Sequence, residues 1–188
     1  LKGQSRGLGI DDGPHHRGSA LSVVVMTVYR LDGYVDGFLS CLIDTDGSDS
    51  SETIAETLHK SSFIDQVRCI ISDGACLGGF NVLDIGDLRE RTEIPVMTVS
   101  DSEPDPESFR AAIRKHFPDW ERRLSLVERY TPLRYDLQDG PVYLRMEGLS
   151  PKEAKDVIKR STIHGRVPEP VRISHMVASV ADRFYRGV

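Results

Sequence analysis

The apolar positions of this chain fall into two rhythms. Residues 20–30 and 34–44 are long runs rich in Val, Tyr, Phe and Ile, and Leu31-Asp32-Gly33 joins them. Asp-Gly between two β-rich runs is a strong hairpin signal. Residues 7–11 form a shorter strand ahead of them. Residues 66–73 are nearly all apolar, as expected for a central strand covered on both faces. Residues 94–99 and 142–146 complete the strand-like runs. Between them the spacing turns helical. Asp49-Ser50-Ser51-Glu52 caps a helix reaching about residue 60, with its acid suited to the helix dipole. Further helices are predicted over 82–91, 105–117 (with Pro106 at its start), 120–128, 150–160 and 169–184. Residues 100–106 read as a polar loop.

Three strands, then helix, strand, helix, strand and helix, predict an antiparallel meander extended by parallel strands through right-handed crossovers. The expected fold is α/β, a ribonuclease H-like mixed sheet with helices on both faces, in a single domain over 1–188. The longest uninterrupted apolar stretch, Val23-Val24-Val25-Met26, is far short of the ~20 residues a membrane helix needs. The polar, glycine-rich opening does not read as a secretory signal. Three cysteines, an odd number, with Cys41 and Cys69 inside strand-like runs, suggest a reduced, cytoplasmic chain without a membrane partner. There is no Cys-x-x-Cys, and His15-His16 is the only close His pair, so a zinc site is not expected.

The chemistry-bearing feature is where the acids fall. Asp11 and Asp12 close the first strand, Asp44 and Asp46 close the hairpin, and Asp73 closes the buried strand. A carboxylate ending an apolar run faces water, a partner or a metal, because burying it bare is costly. Carboxylates delivered from several strand ends make oxygen-ligand sites for Mg2+, with Mn2+ as an alternative, and such sites hydrolyse phosphodiesters. Each acid also has a plainer reading, as a turn former or helix cap. A net charge of −5 argues mildly against nucleic acid, but a metal site carries several of those charges. Two basic clusters, Arg110 to Arg123 and Lys152 to Arg172, are either phosphate-facing or solvated helix faces.

Four segments carry a resemblance: Leu8-Gly9-Ile10-Asp11-Asp12-Gly13-Pro14, Asp46-Gly47-Ser48-Asp49-Ser50-Ser51-Glu52, Gly79-Phe80-Asn81-Val82-Leu83-Asp84-Ile85, and Arg166-Val167-Pro168-Glu169-Pro170-Val171-Arg172. In this order they resemble the endonuclease dU family, found largely in archaea and a distant relative of endonuclease V. The resemblance implies a metal-dependent endonuclease nicking DNA at deaminated bases, chiefly deoxyuridine, in DNA repair. Gly9-Ile10-Asp11 resembles the Gly-x-Asp of the endonuclease V first strand. Glu52, 21 residues before Asp73, resembles its helix-start Glu, and Asp73-Gly74 its strand-end Asp-Gly. Pro168-Glu169-Pro170-Val171-Arg172-Ile173-Ser174-His175 resembles its C-terminal motif.

That resemblance makes Asp11, Glu52 and Asp73 the expected catalytic and metal-binding set. Asp12, Asp46, Glu153 and His175 are further candidates, and Gly79, Asn81 and Arg172 are candidate substrate contacts. The endonuclease V wedge, a Pro-Tyr-Ile-Pro segment that prises the duplex, is replaced by residues 44–51, and its lysine falls near Ser100-Asp101. The readings left open are a non-catalytic nucleic-acid-binding or scaffold protein on the same fold, and an endonuclease on deaminated RNA.

Overall fold

The computed structural model describes residues 5–186 apart from 15, 17 and 32. Three strands open it: β1 (Arg6–Asp12), β2 (Leu21–Arg30) and β3 (Tyr34–Asp44). They form an antiparallel meander, with Ile10 opposite Met26 and Val25 opposite Ser40. Asp32, the expected turn residue, and His15, of the expected His pair, lie outside the described residues. Gly33 adopts φ +105° and donates its N–H to the Arg30 carbonyl at 2.9 Å, which closes the hairpin.

Helix α1 (Ser50–His59) leads to β4 (Val67–Asp73), which lies parallel to β1. Helix α2 (Ile85–Thr92) then crosses to β7 (Val96–Ser100), parallel to β4. Between β4 and α2 a small hairpin, β5 (Cys76–Leu77) and β6 (Asn81–Val82), turns on Gly78 and Gly79 with φ +53° and +83°. It takes up residues 81–82 and delays α2 to Ile85, where Asp84 caps it by accepting from the N–H groups of Gly86 and Asp87. After α3 (Pro106–His116) and α4 (Trp120–Glu128), β8 (Leu133–Leu137) and β9 (Gly140–Glu147) add an antiparallel ribbon. The sheet order is β3-β2-β1-β4-β7-β9-β8. β8 is an edge strand whose alternation includes an Arg134–Asp136 ion pair, and charges of this kind protect an exposed edge.

Pleat alternation divides the core. Leu8 and Ile10 of β1, Met26 of β2 and Ile70 of β4 pack with Ile54 and Leu58 of α1 and Leu88 of α2 on one face. Helices α5 (Pro151–Ser161) and α6 (Glu169–Arg186) cover the other face, over Ile71, Met97, Leu144 and, at α6, Val23 and Val25. Full burial of each such side chain contributes about 1.5–3 kcal/mol. Residues of this second face of β1 are Gly7, Gly9 and Asp11, and the glycines make room for α6. A Cβ on Gly9 would stand 2.2 Å from the Pro170 carbonyl carbon. Ser174 of α6 fills the seam, donating to the Gly9 carbonyl at 2.9 Å and lying 2.7 Å from the Thr27 hydroxyl. Among the described residues no helix is long and apolar enough to cross a membrane.

Candidate functional site

The three parallel strands end at the same edge of the sheet, and each delivers a carboxylate there: Asp11 and Asp12 from β1, Asp73 from β4, and Asp101 just beyond β7. Asp11 is 5% exposed. Its Oδ1 accepts the Asp12 N–H at 2.8 Å and its Oδ2 lies 2.9 Å from His175 Nδ1. Burial, then the charges of Asp73 and Asp12, push its carboxyl up from an ordinary 3.8 to about 8. Asp12 is likewise raised by burial, although the Gly78 N–H, 2.9 Å from its Oδ2, opposes this. Asp73, with more of its surface open to solvent, is raised by partial burial and by Asp101 and Asp12, against a lowering by His175.

No lysine or arginine ion pair to Asp11, Asp12 or Asp73 is found among the described residues. Nor do any three His, Cys, Asp or Glu side chains among them stand as a ready ligand shell. Asp73 and Asp12 raise the proton affinity of Asp11, and Asp101 and Asp12 that of Asp73, whereas Asp101 itself is paired to Arg166 at 3.1 Å. Hard oxygen donors of this kind fit Mg2+ or Mn2+; Mg2+ in particular usually keeps several waters and needs only one or two carboxylates.

His175 reaches Asp11 because of Gly9. The missing Cβ lets the Pro170 turn sit on β1, and His175, five residues on, then falls beside the end of that strand. The Gly9-x-Asp11 and Pro168-to-His175 motifs are therefore two halves of one junction.

Glu52 is not part of the cluster. Its side chain is 58% exposed and lies 3.4 Å from Arg91 of α2, beside a separate polar recess of about 240 Å³ that also touches Asp84 and Asp87. The register of α1 against α2 turns it away from the strand ends. Glu153 forms a capping box with Ser150, accepting the Ser150 N–H at 2.9 Å, so its carboxylate is committed to the start of α5. Asp46 adopts φ +58° and accepts the Phe80 N–H at 2.8 Å, clasping the loop after β3 to the β5–β6 hairpin. Asp49 follows a similar course: its carboxylate does not cap α1 but meets the Asp44 N–H and the Asn81 amide.

The expected substrate contacts are part of the scaffold. Asn81 is fully buried, donating to the Asp44 carbonyl at 2.9 Å and accepting the Ser50 N–H at 3.2 Å. Gly79 is a turn residue of the small hairpin. Arg172 is paired to Glu169 at 2.7 Å. In the first basic cluster Arg110 is paired to Glu107 and Glu128, Arg114 lies over Trp120, and Arg123 is buried on Asp119 and two backbone carbonyls. All three cysteines are free, and burial pushes the Cys76 thiol up to about 12, which removes it as a nucleophile.

Two residues were missed. Asp101, read from sequence only as a lost lysine, obeys the same strand-end rule as Asp11 and Asp73. Arg145 on β9 carries no sequence signal. It lines a cavity of about 690 Å³ that begins at Asp73 and Asp101.

Known proteins are similar to this chain in sequence or in fold. A UPF0215 protein of Methanothermobacter thermautotrophicus is 37% identical over 180 residues, covering 95% of this chain and 88% of its own. The crystal structure of an Archaeoglobus fulgidus protein of unknown function superposes with a TM-score of 0.83 at 40% identity, covering 94% of this chain and 98% of that one. Endonuclease V of Ciona intestinalis, in complex with an inosine-containing 24mer DNA, shares the fold with a TM-score of 0.64 at 15% identity, covering 96% of this chain and 87% of that one. The endonuclease dU family model matches residues 3–181, which take in the whole seven-stranded sheet and most of α6, and the chain belongs to that family.

Proposed function

We propose that the protein is a metal-dependent endonuclease that nicks DNA at deaminated bases, deoxyuridine foremost, in the repair of DNA in the cytoplasm. The observation that carries this reading is the delivery of Asp11, Asp12, Asp73 and Asp101 to one sheet edge by three parallel strands. Family membership supports endonuclease chemistry, and a fold-sharing endonuclease V was crystallised with inosine-containing DNA.

Asp11, Asp12 and Asp73 would hold Mg2+ or Mn2+. When bound, the ion supplies the positive charge that phosphodiester hydrolysis needs on the leaving oxygen. The chain's own groups do the rest. Asp11 is fixed by the Asp12 N–H and by His175, so its orientation is set before substrate arrives. His175, 64% exposed, can hold or pass a proton at Nε2 while Nδ1 stays on Asp11. Glu52 is left out of the metal set because its carboxylate is turned to Arg91.

The test is incubation with DNA and RNA oligonucleotides carrying one uracil, one hypoxanthine or neither, with Mg2+, Mn2+ or chelator. Metal-dependent nicking at the deaminated base is expected, and Asp73→Asn should lower it at least about 100-fold, the several kcal/mol that metal charge stabilisation supplies. Absence of nicking with either metal, or a wild-type rate in Asp73→Asn, would overturn the proposal and favour a non-catalytic binding role.

A further inference from the structure

Strand β3 is the second edge of the sheet, and its two faces differ. Leu39, Cys41 and Ile43 point into the core shared with α1. Phe38, Ser40 and Leu42 alternate with them and point to the side of the sheet that carries α6, where all three are exposed. Helix α6 stops short of them. It covers β1 and β2 through Ser174 and Ala178, and Val177 and Ala181 pack with Val23 and Val25 of β2 on its flank nearest β3. Its other flank carries His175 to Asp11.

Helix α6 also has a second apolar side. Met176, Val180 and Phe184 follow at four-residue intervals, each two residues from Ser174, Ala178 or Asp182, which the helix buries. At about 100° per residue this stripe looks outward, opposite the sheet. With Phe38 and Leu42, these side chains are 37 to 81% exposed. At about 150–250 Å² per aromatic side chain, and somewhat less per aliphatic one, the five expose roughly 500 Å² of apolar surface. That lies toward the top of the range for the largest patch on a monomer. It also matches the apolar share, about 60%, of the ~800 Å² that each partner gives to a stable interface.

Shape and charge select the occupant. The exposed face of β3 lies one step below a helix about 10 Å thick, so a flat surface resting on α6 cannot touch it. A second helix laid beside α6 can, and the chain itself supplies one with an apolar outward stripe. Strand β3 carries Asp36 and Asp44 and no base, whereas the exposed charged residues of α6 are Arg172, His175 and Arg183, none of them acidic. We propose that this face pairs two copies of the chain about a two-fold axis, the outward stripe of each α6 lying on the exposed face of the other's β3. Such a contact is self-complementary, and it covers both apolar strips of both copies at once. The acidic junction stays open in each copy, because His175 is on the opposite flank of α6. The pairing does not depend on the nuclease reading.

The experiment is sedimentation velocity of the intact chain over about 1–100 µM, since interfaces of this size hold with micromolar or tighter affinity. The wild type should sediment as a dimer at the upper end of that range. Phe38→Lys and Val180→Glu, both at exposed positions, should each raise the dissociation constant at least about 100-fold and leave the circular dichroism spectrum unchanged. An equal mixture of the two variants should regain dimer, because a mixed pair has one wild-type contact and one contact that sets Lys against Glu. The wild-type arm needs no variant and so stands even if a variant folds poorly. A wild type that is monomeric at about 100 µM would overturn the inference. Flotation of that monomer with phosphatidylcholine vesicles would assign the face to a lipid surface, and its absence to a different protein. A dimer that survives either substitution, as edge-to-edge pairing of β3 would survive Val180→Glu, or a mixture of folded variants that stays monomeric, would overturn it equally.

Discussion

Replacing Asp11 by Asn removes the group whose ionisation the metal-free fold resists most. The carboxyl is raised from 3.8 to about 8 by burial, Asp73 and Asp12. The sign follows from linkage. Between these two values the folded chain holds a proton that the unfolded chain has released, so stability falls as pH rises through that window and levels off above it. At about 1.4 kcal/mol per pH unit the whole span has a ceiling of roughly 6 kcal/mol. Asp73 and Asp12 contribute to the raised pKa of Asp11, so one substitution recovers only part of that sum. Urea unfolding in chelator should show the wild type losing stability from pH 5 to pH 8. Asp11→Asn should be more stable than wild type by about 2–4 kcal/mol at pH 8, with a flatter pH profile, in line with the cost of crowding buried carboxylates. Mg2+ should narrow the gap by stabilising the wild type alone, through mass action on the folded state. Asp119 does not confuse the result: Arg123 holds its pKa below the ordinary range, so its contribution is lost only in more acid solution. A metal-free wild type that gains stability between pH 5 and 8, or an Asp11→Asn chain less stable than wild type at pH 8, would refute the electrostatic account of the site.

Three shorter predictions follow from the same geometry. Glu52→Gln should change the nicking rate less than about 3-fold, since its partner is Arg91, while His175→Ala should lower kcat about 10–100-fold by releasing Asp11, both read from single-turnover kinetics. Arg123→Ala should cost about 1–3 kcal/mol in urea unfolding, because it leaves the carbonyls of Gly47 and Phe80 without their donor, while the part-exposed Asp119 is taken up by solvent. Gly9→Ala forces a methyl group into the Pro170 backbone and should lower both stability and nicking, whereas Gly7→Ala, whose Cβ would meet Leu31 at 3.4 Å and Cys69 and Ile71 at 3.9 Å, should be milder in the same two assays.

Much of this fold was legible because its central strands are written in β-branched and aromatic residues and its helices begin with caps. What escaped had weaker local physics. β8 alternates Arg134 and Asp136 with apolar residues and looks like a loop until it pairs with β9. The β5–β6 hairpin is only two residues wide per strand and is held by Asp46, Asp12 and Asp44 from elsewhere in the chain. The site divides the same way. Asp11 and Asp73 are strand-end acids, and a strand fixes where its last residue points. Glu52 is on a helix, where a turn of 100° per residue decides which neighbour it meets, and spacing to Asp73 says nothing about that rotation. His175 had an ambiguous local context because its role depends on a glycine more than 160 residues earlier.

The remaining departure from endonuclease V concerns how a base leaves its duplex. Residues 44–51, which by the sequence resemblance replace the wedge, are bound down rather than projecting. Asp44 is held by Asp49 and Asn81, Asp46 by Gly78 and Phe80, and the Gly47 carbonyl by Arg123. None of the eight residues bears an apolar side chain. The adjoining hairpin offers one aromatic, Phe80, but its ring lies 5.5 Å from Phe117 and 6.1 Å from Phe109 and is committed to that cluster. Neither segment supplies a side chain to fill the space a departing base leaves. Unpairing and unstacking cost a few kcal/mol and least at a mismatch or in a single strand. Deoxyuridine in a single strand or opposite guanine should therefore be nicked about 10–100-fold faster than deoxyuridine paired with adenine, in matched time courses at saturating enzyme. Equal or faster nicking of the fully paired substrate would mean that a side chain elsewhere on the acidic edge enters the duplex, and the rigid loop would lose its explanatory role.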